Sequence, residues 1–304
     1  MVRGRGLRRF GAAVVLAGLV TGCGGSGGGG GHDAALAEPA LPAVLTEPPD
    51  GAAVPLPLDG YAVSGADSAL IFQAREAATR TCMKGKGFDY TPAVLPAAPP
   101  PSPLDPDFLG ILSATAARLT GYHRPPPPAG QVTAQQQQQG GDGPEYRKAL
   151  EGAGGKPGTA ADPTADRGCM GAFDKQLGGA LAAPAKDDVV GGLRAQAYDH
   201  ATGDSQVKAA VTKWAGCMTA QGYHYATPAA AGSAAWPDPV AQQEKDTAVA
   251  DMVCKAQAQL LGTWYAVEAG YQTELIGRNE SALQGIKDRV TQRVAAAKKA
   301  LGEG

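Results

Sequence analysis

Five cysteines carry most of the chemistry this 304-residue chain offers, and four of them sit in two repeated motifs. Cys82-Met83-Lys84-Gly85-Lys86-Gly87-Phe88-Asp89-Tyr90 matches Cys217-Met218-Thr219-Ala220-Gln221-Gly222-Tyr223-His224-Tyr225, and each stretch soon reaches a proline, Pro92 or Pro228. Ala165-Asp166-Arg167-Gly168-Cys169 likewise matches Ala250-Asp251-Met252-Val253-Cys254. Thiols can form disulfides, ligate a metal or act as nucleophiles. Zinc sites use closely spaced ligand pairs; here the spacings are long, no C-x-x-C occurs, and the His residues are scattered at 32, 123, 200 and 224. Neither a metal nor a cofactor is expected. No hydrolase elbow, metalloprotease, phosphate-loop or dinucleotide motif occurs, so no catalytic residue is assigned. Asp187-Asp188 reads as a solvated helix start.

The spacing within the first motif has a physical reading. Gly87 or Gly222 at the first position past a helix end takes the left-handed conformation that favours Gly. Phe88 or Tyr223 then follows it, and Met83 or Met218 lies one turn back, the pair that packs in a Schellman cap. The Cys sits one residue earlier, in the last turn, placed to lock the helix to a second one. Phe88, Tyr90, Tyr223 and Tyr225 are candidates for an aromatic pocket, with core packing as the other use.

Residues 1–22 read as an export signal. Arg3, Arg5, Arg8 and Arg9 precede an apolar run from Phe10 to Thr21, too short to span a bilayer. The run ends in Leu19-Val20-Thr21-Gly22-Cys23, which resembles the lipobox of bacterial lipoproteins. The resemblance implies diacylation of Cys23, cleavage before it, and anchoring on the extracytoplasmic face of the cell membrane, where two acyl chains hold stably. The richness in Gly, Ala and Pro resembles that of high-GC actinobacterial proteins. With Cys23 lipidated, four cysteines remain in an oxidising compartment. Three pairings are open, and the repeat favours Cys82–Cys169 and Cys217–Cys254.

The elements that position these residues read as helices. Apolar spacing marks about 66–86, with Ser64 and Asp67 as caps, and about 106–120, opened by Asp105-Pro106 and stopped by Gly121. Further helices are expected over about 163–181, 186–201 and 205–221, the last opened by Asp204-Ser205. The longest runs over about 240–301, with Val249, Val253, Ala256, Leu260, Trp264, Val267, Tyr271 and Leu275 recurring every three or four residues. Glu268, Gln272, Glu274, Arg278 and Asn279 interrupt its stripe, which resumes at Leu283. No alternating strand run is found. The fold class is all-α: two disulfide-stapled half-repeats, 61–182 and 183–304, with a low-complexity insert over 125–143. A Gly/Pro-rich flexible tether precedes them over 23–60.

Composition narrows the function. Leu, Ile, Val and Phe make up about 17% of the chain, too few for the strand-rich core of a large α/β enzyme. Signal cleavage removes four of 27 basic residues and none of 29 acidic ones, leaving no footprint for nucleic acid. The expected role is therefore non-catalytic: a lipid-anchored envelope protein that binds a partner or ligand, with the far end of the long helix as its partner surface. A solute-binding accessory of a transporter and a cell-wall enzyme working through scattered Asp and Glu are the alternatives.

Overall fold

A computed structural model of the chain describes residues 36–52, 54–93, 104–105, 107–124, 143–152, 167–177 and 188–303. The fold is all-α. Among the described residues its helices are α1 (Gly65–Gly85), α2 (Ala114–Thr120), α3 (Pro144–Glu151), α4 (Ala172–Leu177), α5 (Val189–Gly203), α6 (Ser205–Ala220), α7 (Pro228–Gly232), α8 (Gln242–Ala258), α9 (Leu260–Arg278) and α10 (Glu280–Leu301). A two-residue ladder, β1 (Leu104–Asp105) antiparallel to β2 (Gly110–Ile111), pairs Leu104 with Ile111 and Asp105 with Gly110.

The motif ends its helices as its spacing predicts. At the end of α1, Phe88 N–H donates to Met83 C=O at 3.0 Å and Gly87 N–H to Lys84 C=O at 3.0 Å. After α6, Tyr223 N–H donates to Met218 C=O at 2.9 Å and Gly222 N–H to Thr219 C=O at 3.0 Å. Gly87 and Gly222 lie at φ 83° and 88°, the left-handed region where a Cβ is disfavoured. Met83 and Met218 are fully buried. Both disulfides form as the repeat predicts, Cys82–Cys169 and Cys217–Cys254.

The stapled helices have different surroundings, however. Helix α6 sits in the main core with α5, α8 and α9, around the fully buried Trp214, Met218, Leu260 and Val267. Helix α1 instead lies along α10, sharing a smaller apolar cluster of Ile71, Ala74, Ala78, Phe173 and Ala297. Residues 36–304 make one compact unit. The matching Ala165-Asp166 lies outside the described residues, as does the insert expected over 125–143 apart from Gly143, the residue preceding α3.

Several element boundaries differ from expectation. Asp105 does not cap a helix; its carboxylate accepts from the N–H of Asp107 (3.0 Å) and Phe108 (3.2 Å), turning β1 towards β2. Helix α2 starts at Ala114, capped by Ser113 Oγ. Of the helix expected over 163–181, the described part is a 3-10 turn at Gly168–Gly171 running into α4. The expected helix over 240–301 is three helices, broken at Gln259 and at Asn279. Gln259 has left-handed backbone (φ 51°), and the Asn279 amide donates to Leu275 C=O at 2.8 Å. These bends return α9 to α5 and α6, and bring α10 against α1.

The largest correction concerns the tether. Residues 23–35 lie outside the described residues, but the stretch from 36 to 60 is bound to the body. Leu36 is buried and Leu58 fully so. Three strap carboxylates sit at three helix N-termini, where N–H groups lack intrahelical partners and the dipole favours negative charge. Glu38 accepts from Ser205 N–H (2.8 Å) and Ser205 Oγ (2.5 Å) at α6. Glu47 accepts from Gly262 N–H (3.3 Å) at α9. Asp50 accepts from Ala114 N–H (2.5 Å), Thr115 N–H (3.2 Å) and Thr115 Oγ1 (2.6 Å) at α2.

Candidate functional site

The strap, α2, α8 and the start of α9 enclose an open cleft of about 320 Å³. Apolar side chains line it: Leu112 ahead of α2, Val249, Met252, Val253 and Ala256 on α8, and Leu261 on α9. The α8 residues are one face of a helix, since 249, 252, 253 and 256 are three or four apart. Val249, Val253 and Ala256 belong to the stripe expected in the core, yet Val253 keeps 44% of its surface exposed. Nothing among the described residues covers that face fully.

Charged groups mark the rim. Arg118, one turn along α2 from Ala114, lines the cleft and makes no ion pair among the described residues. Glu47 and Asp50 approach from the strap. Burial raises the Glu47 carboxyl above its usual range, and the Gly262 N–H opposes that shift. Asp50 is held below its usual range by its Thr115 and Ala114 hydrogen bonds, against the effect of burial.

Beneath the cleft lies a buried polar network that holds α8 to α2 and α6. Lys255 Nζ donates to Asp251 Oδ1 (2.8 Å) and to Ile111 C=O (2.7 Å), with both side chains fully buried. Trp214 Nε1 donates to Asp251 Oδ1 (2.8 Å) and Tyr122 Oη to Asp251 Oδ2 (3.0 Å). Burial pushes the Asp251 carboxyl up and the Lys255 ammonium down, while each charge opposes the shift in the other. Next to it, Glu244 Oε1 accepts from Tyr122 N–H (2.7 Å) and lies 2.9 Å from His123 Nδ1. No known family model, characterised protein or solved structure matches this chain.

The sequence marked Asp251 as part of a repeat without giving it a role. The missed signal was a charge pair, Asp251 and Lys255, four residues apart inside an otherwise apolar stretch. The four candidate aromatic residues do not form one pocket. Phe88 and Tyr90 pack around Met83, Tyr146 and Cys169, with Phe88 edge-on to Tyr146 at 5.6 Å, and Tyr90 Oη donates to Glu76 at 2.8 Å. Tyr223 and Tyr225 pack against the main core. Cys23 lies outside the described residues. Among the described residues no group of three His, Cys, Asp or Glu is arranged to hold a metal, and no helix is long and apolar enough to cross a membrane.

The partner surface expected at the far end of the long helix is occupied by the chain itself. Leu283 and Ala297 of α10 are fully buried, and Val294 and Leu301 pack into the cluster shared with α1.

Proposed function

We propose that the chain is a lipid-anchored protein of the extracytoplasmic membrane face that binds a small apolar ligand, without catalysis, in the cleft between strap, α2 and α8. The observation that carries the reading is the exposed apolar face of α8 at Val253. With less than half of this side chain in water, covering it would add roughly 1 kcal/mol, and its neighbours form a concave, mainly apolar wall of the kind that ligands fill. The lipobox-like Leu19 to Cys23 supports the anchor and its compartment, and the two disulfides are consistent with an oxidising one. A transporter accessory fits the same cleft as a narrower version of this reading.

Two measurements test it separately. Metabolic labelling with an alkyne fatty acid should mark the protein, and Cys23→Ser should abolish the mark; equal labelling of the variant sinks the anchor. In solution, an environment-sensitive apolar dye should bind and brighten, and Val253→Asp should cost at least about tenfold in affinity. Val253 is half-exposed, so its replacement should leave the melting temperature nearly unchanged. Dye binding that survives Val253→Asp removes the cleft as the site.

A further inference from the structure

Away from the cleft, three arginines from separate segments converge on one carboxylate. Arg75 Nη2 of α1 lies 3.2 Å from Asp174 Oδ1, Arg167 Nη1 lies 2.9 Å from Asp174 Oδ2, and Arg293 Nη2 of α10 lies 4.0 Å from Asp174 Oδ1. Among the described residues, one negative charge thus faces three positive ones. Two donors are also left over: Nε of Arg75 and Nε of Arg293 are buried and without a hydrogen-bond partner. Leaving a buried donor unsatisfied is unfavourable, and more so on a charged group. Burial lowers the Arg293 pKa, as do the like charges of Arg75 and Arg289, with Asp174 opposing. The guanidinium stays ionised even so, and the excess charge stays with it. The arginine side chains remain approachable, with exposures of 39% for Arg75, 54% for Arg167 and 22% for Arg293.

We propose that this cluster at the junction of α1, α4 and α10 is a binding site for a phosphate group. Planar guanidinium forks match the oxygens of phosphate. A phosphate monoester carries about −1.5 to −2 near neutral pH, the charge that three arginines and one aspartate leave uncompensated. Ligation through the exposed guanidinium ends relieves the repulsion among the arginines, and a turn of the Arg75 and Arg293 side chains brings their buried Nε–H groups to the same oxygens. Asp174 orients Arg75 and Arg167 and competes with the ligand for them. The phosphate can be free, on a small solute, or on an anionic lipid headgroup.

The test uses the full chain carrying Cys23→Ser, so that acylation does not dominate. Inorganic phosphate should raise the melting temperature beyond chloride at matched ionic strength, and should shift the Nε–Hε resonances of Arg75 and Arg293. Arg75→Gln and Arg293→Gln should each weaken the response by about tenfold. Asp174→Asn should strengthen it several-fold, a direction that a purely structural role for Asp174 does not predict. Should Asp174→Asn lose its near-ultraviolet dichroism, Arg293→Lys serves instead: it keeps the charge, loses the fork, and should give an intermediate affinity. Flotation with phosphatidylglycerol vesicles but not phosphatidylcholine vesicles, reduced in the arginine variants, assigns the phosphate to a headgroup. A phosphate response without that difference assigns it to a free or small-molecule phosphate. Neither response, or responses equal in wild type and arginine variants, overturns the site.

Discussion

Asp251 and Lys255 show how a buried pair is held. Each charge loses its hydration, and the network returns hydrogen bonds from Trp214, Tyr122 and Ile111. Removing one member of such a pair strands the other, which costs about 3–5 kcal/mol. Lys255→Met should therefore destabilise the fold by about that much in urea unfolding, and Asp251→Leu with Lys255→Met should cost less than the single change. An equal or larger loss in the double variant would mean that packing, not the stranded charge, sets the cost. Glu268 offers a pH test. Burial raises its carboxyl pKa, with the Gln272 hydrogen bond opposing. The folded state thus holds the proton more tightly than the unfolded one, so the stabilisation is present below the unfolded pKa and lost as pH rises through the folded value. Glu268→Gln should accordingly stabilise the protein at pH 8, change it little at pH 4, and flatten the pH profile of unfolding between them.

Helices carried most of what the sequence made legible, because their signals are local. Apolar spacing, Ser64 and Asp204 as caps, and the glycine stops at 87 and 222 place α1 and α6 within a residue of their observed ends. The cysteine pairing followed because the repeat recorded it. The break at Asn279 falls where polar residues interrupt the apolar stripe, two residues after Gly277, but the one at Gln259 has no Gly or Pro within two residues and no local signal; tertiary packing of α9 and α10 fixes both bends. The phosphate cluster and the cleft were illegible for the same reason, since each joins segments far apart in the chain. This contrast leads to a prediction about the two staples. Cys217–Cys254 closes 37 residues within the main core, whereas Cys82–Cys169 closes 87 and ties down the smaller assembly of α1, α3 and α4. Loop entropy alone makes each worth about 4–5 kcal/mol. Replacing Cys82 and Cys169 by Ala should speed amide exchange in α1 and α10 while α6, α8 and α9 stay protected. Uniform loss of protection would show that the satellite assembly and the main core open together.

At the scale of the molecule, the strap changes what the chain is. Its composition is that of a linker, rich in Pro and Ala, and the positions of Glu38, Glu47 and Asp50, with the buried Leu36 and Leu58, distinguish it from one. Those acids dock it to three helix N-termini, so an N-terminal anchor at Cys23 would be followed by 12 residues rather than 37 before the body begins at Leu36. Because the strap also walls the cleft, its docking and the cleft's shape are one structural event. The hydrogen bonds at Ser205 hold Glu38 below its ordinary range, and those at α2 do so for Asp50. For both groups docking is complete above the unfolded carboxylate pKa and lost as pH falls through the depressed folded values. Glu47, raised by burial, runs the other way and cannot rescue the two ends. Backbone heteronuclear NOEs for residues 37–45 should thus match those of the helices at pH 6–7. They should fall once pH drops below the ordinary carboxylate range, about 4, with dye binding in the cleft falling in parallel. Glu38→Gln with Asp50→Asn should show the low-pH behaviour already at neutral pH. A strap that stays rigid in that variant would mean Leu36 and Leu58 hold it by packing alone, and the carboxylates would then be passengers.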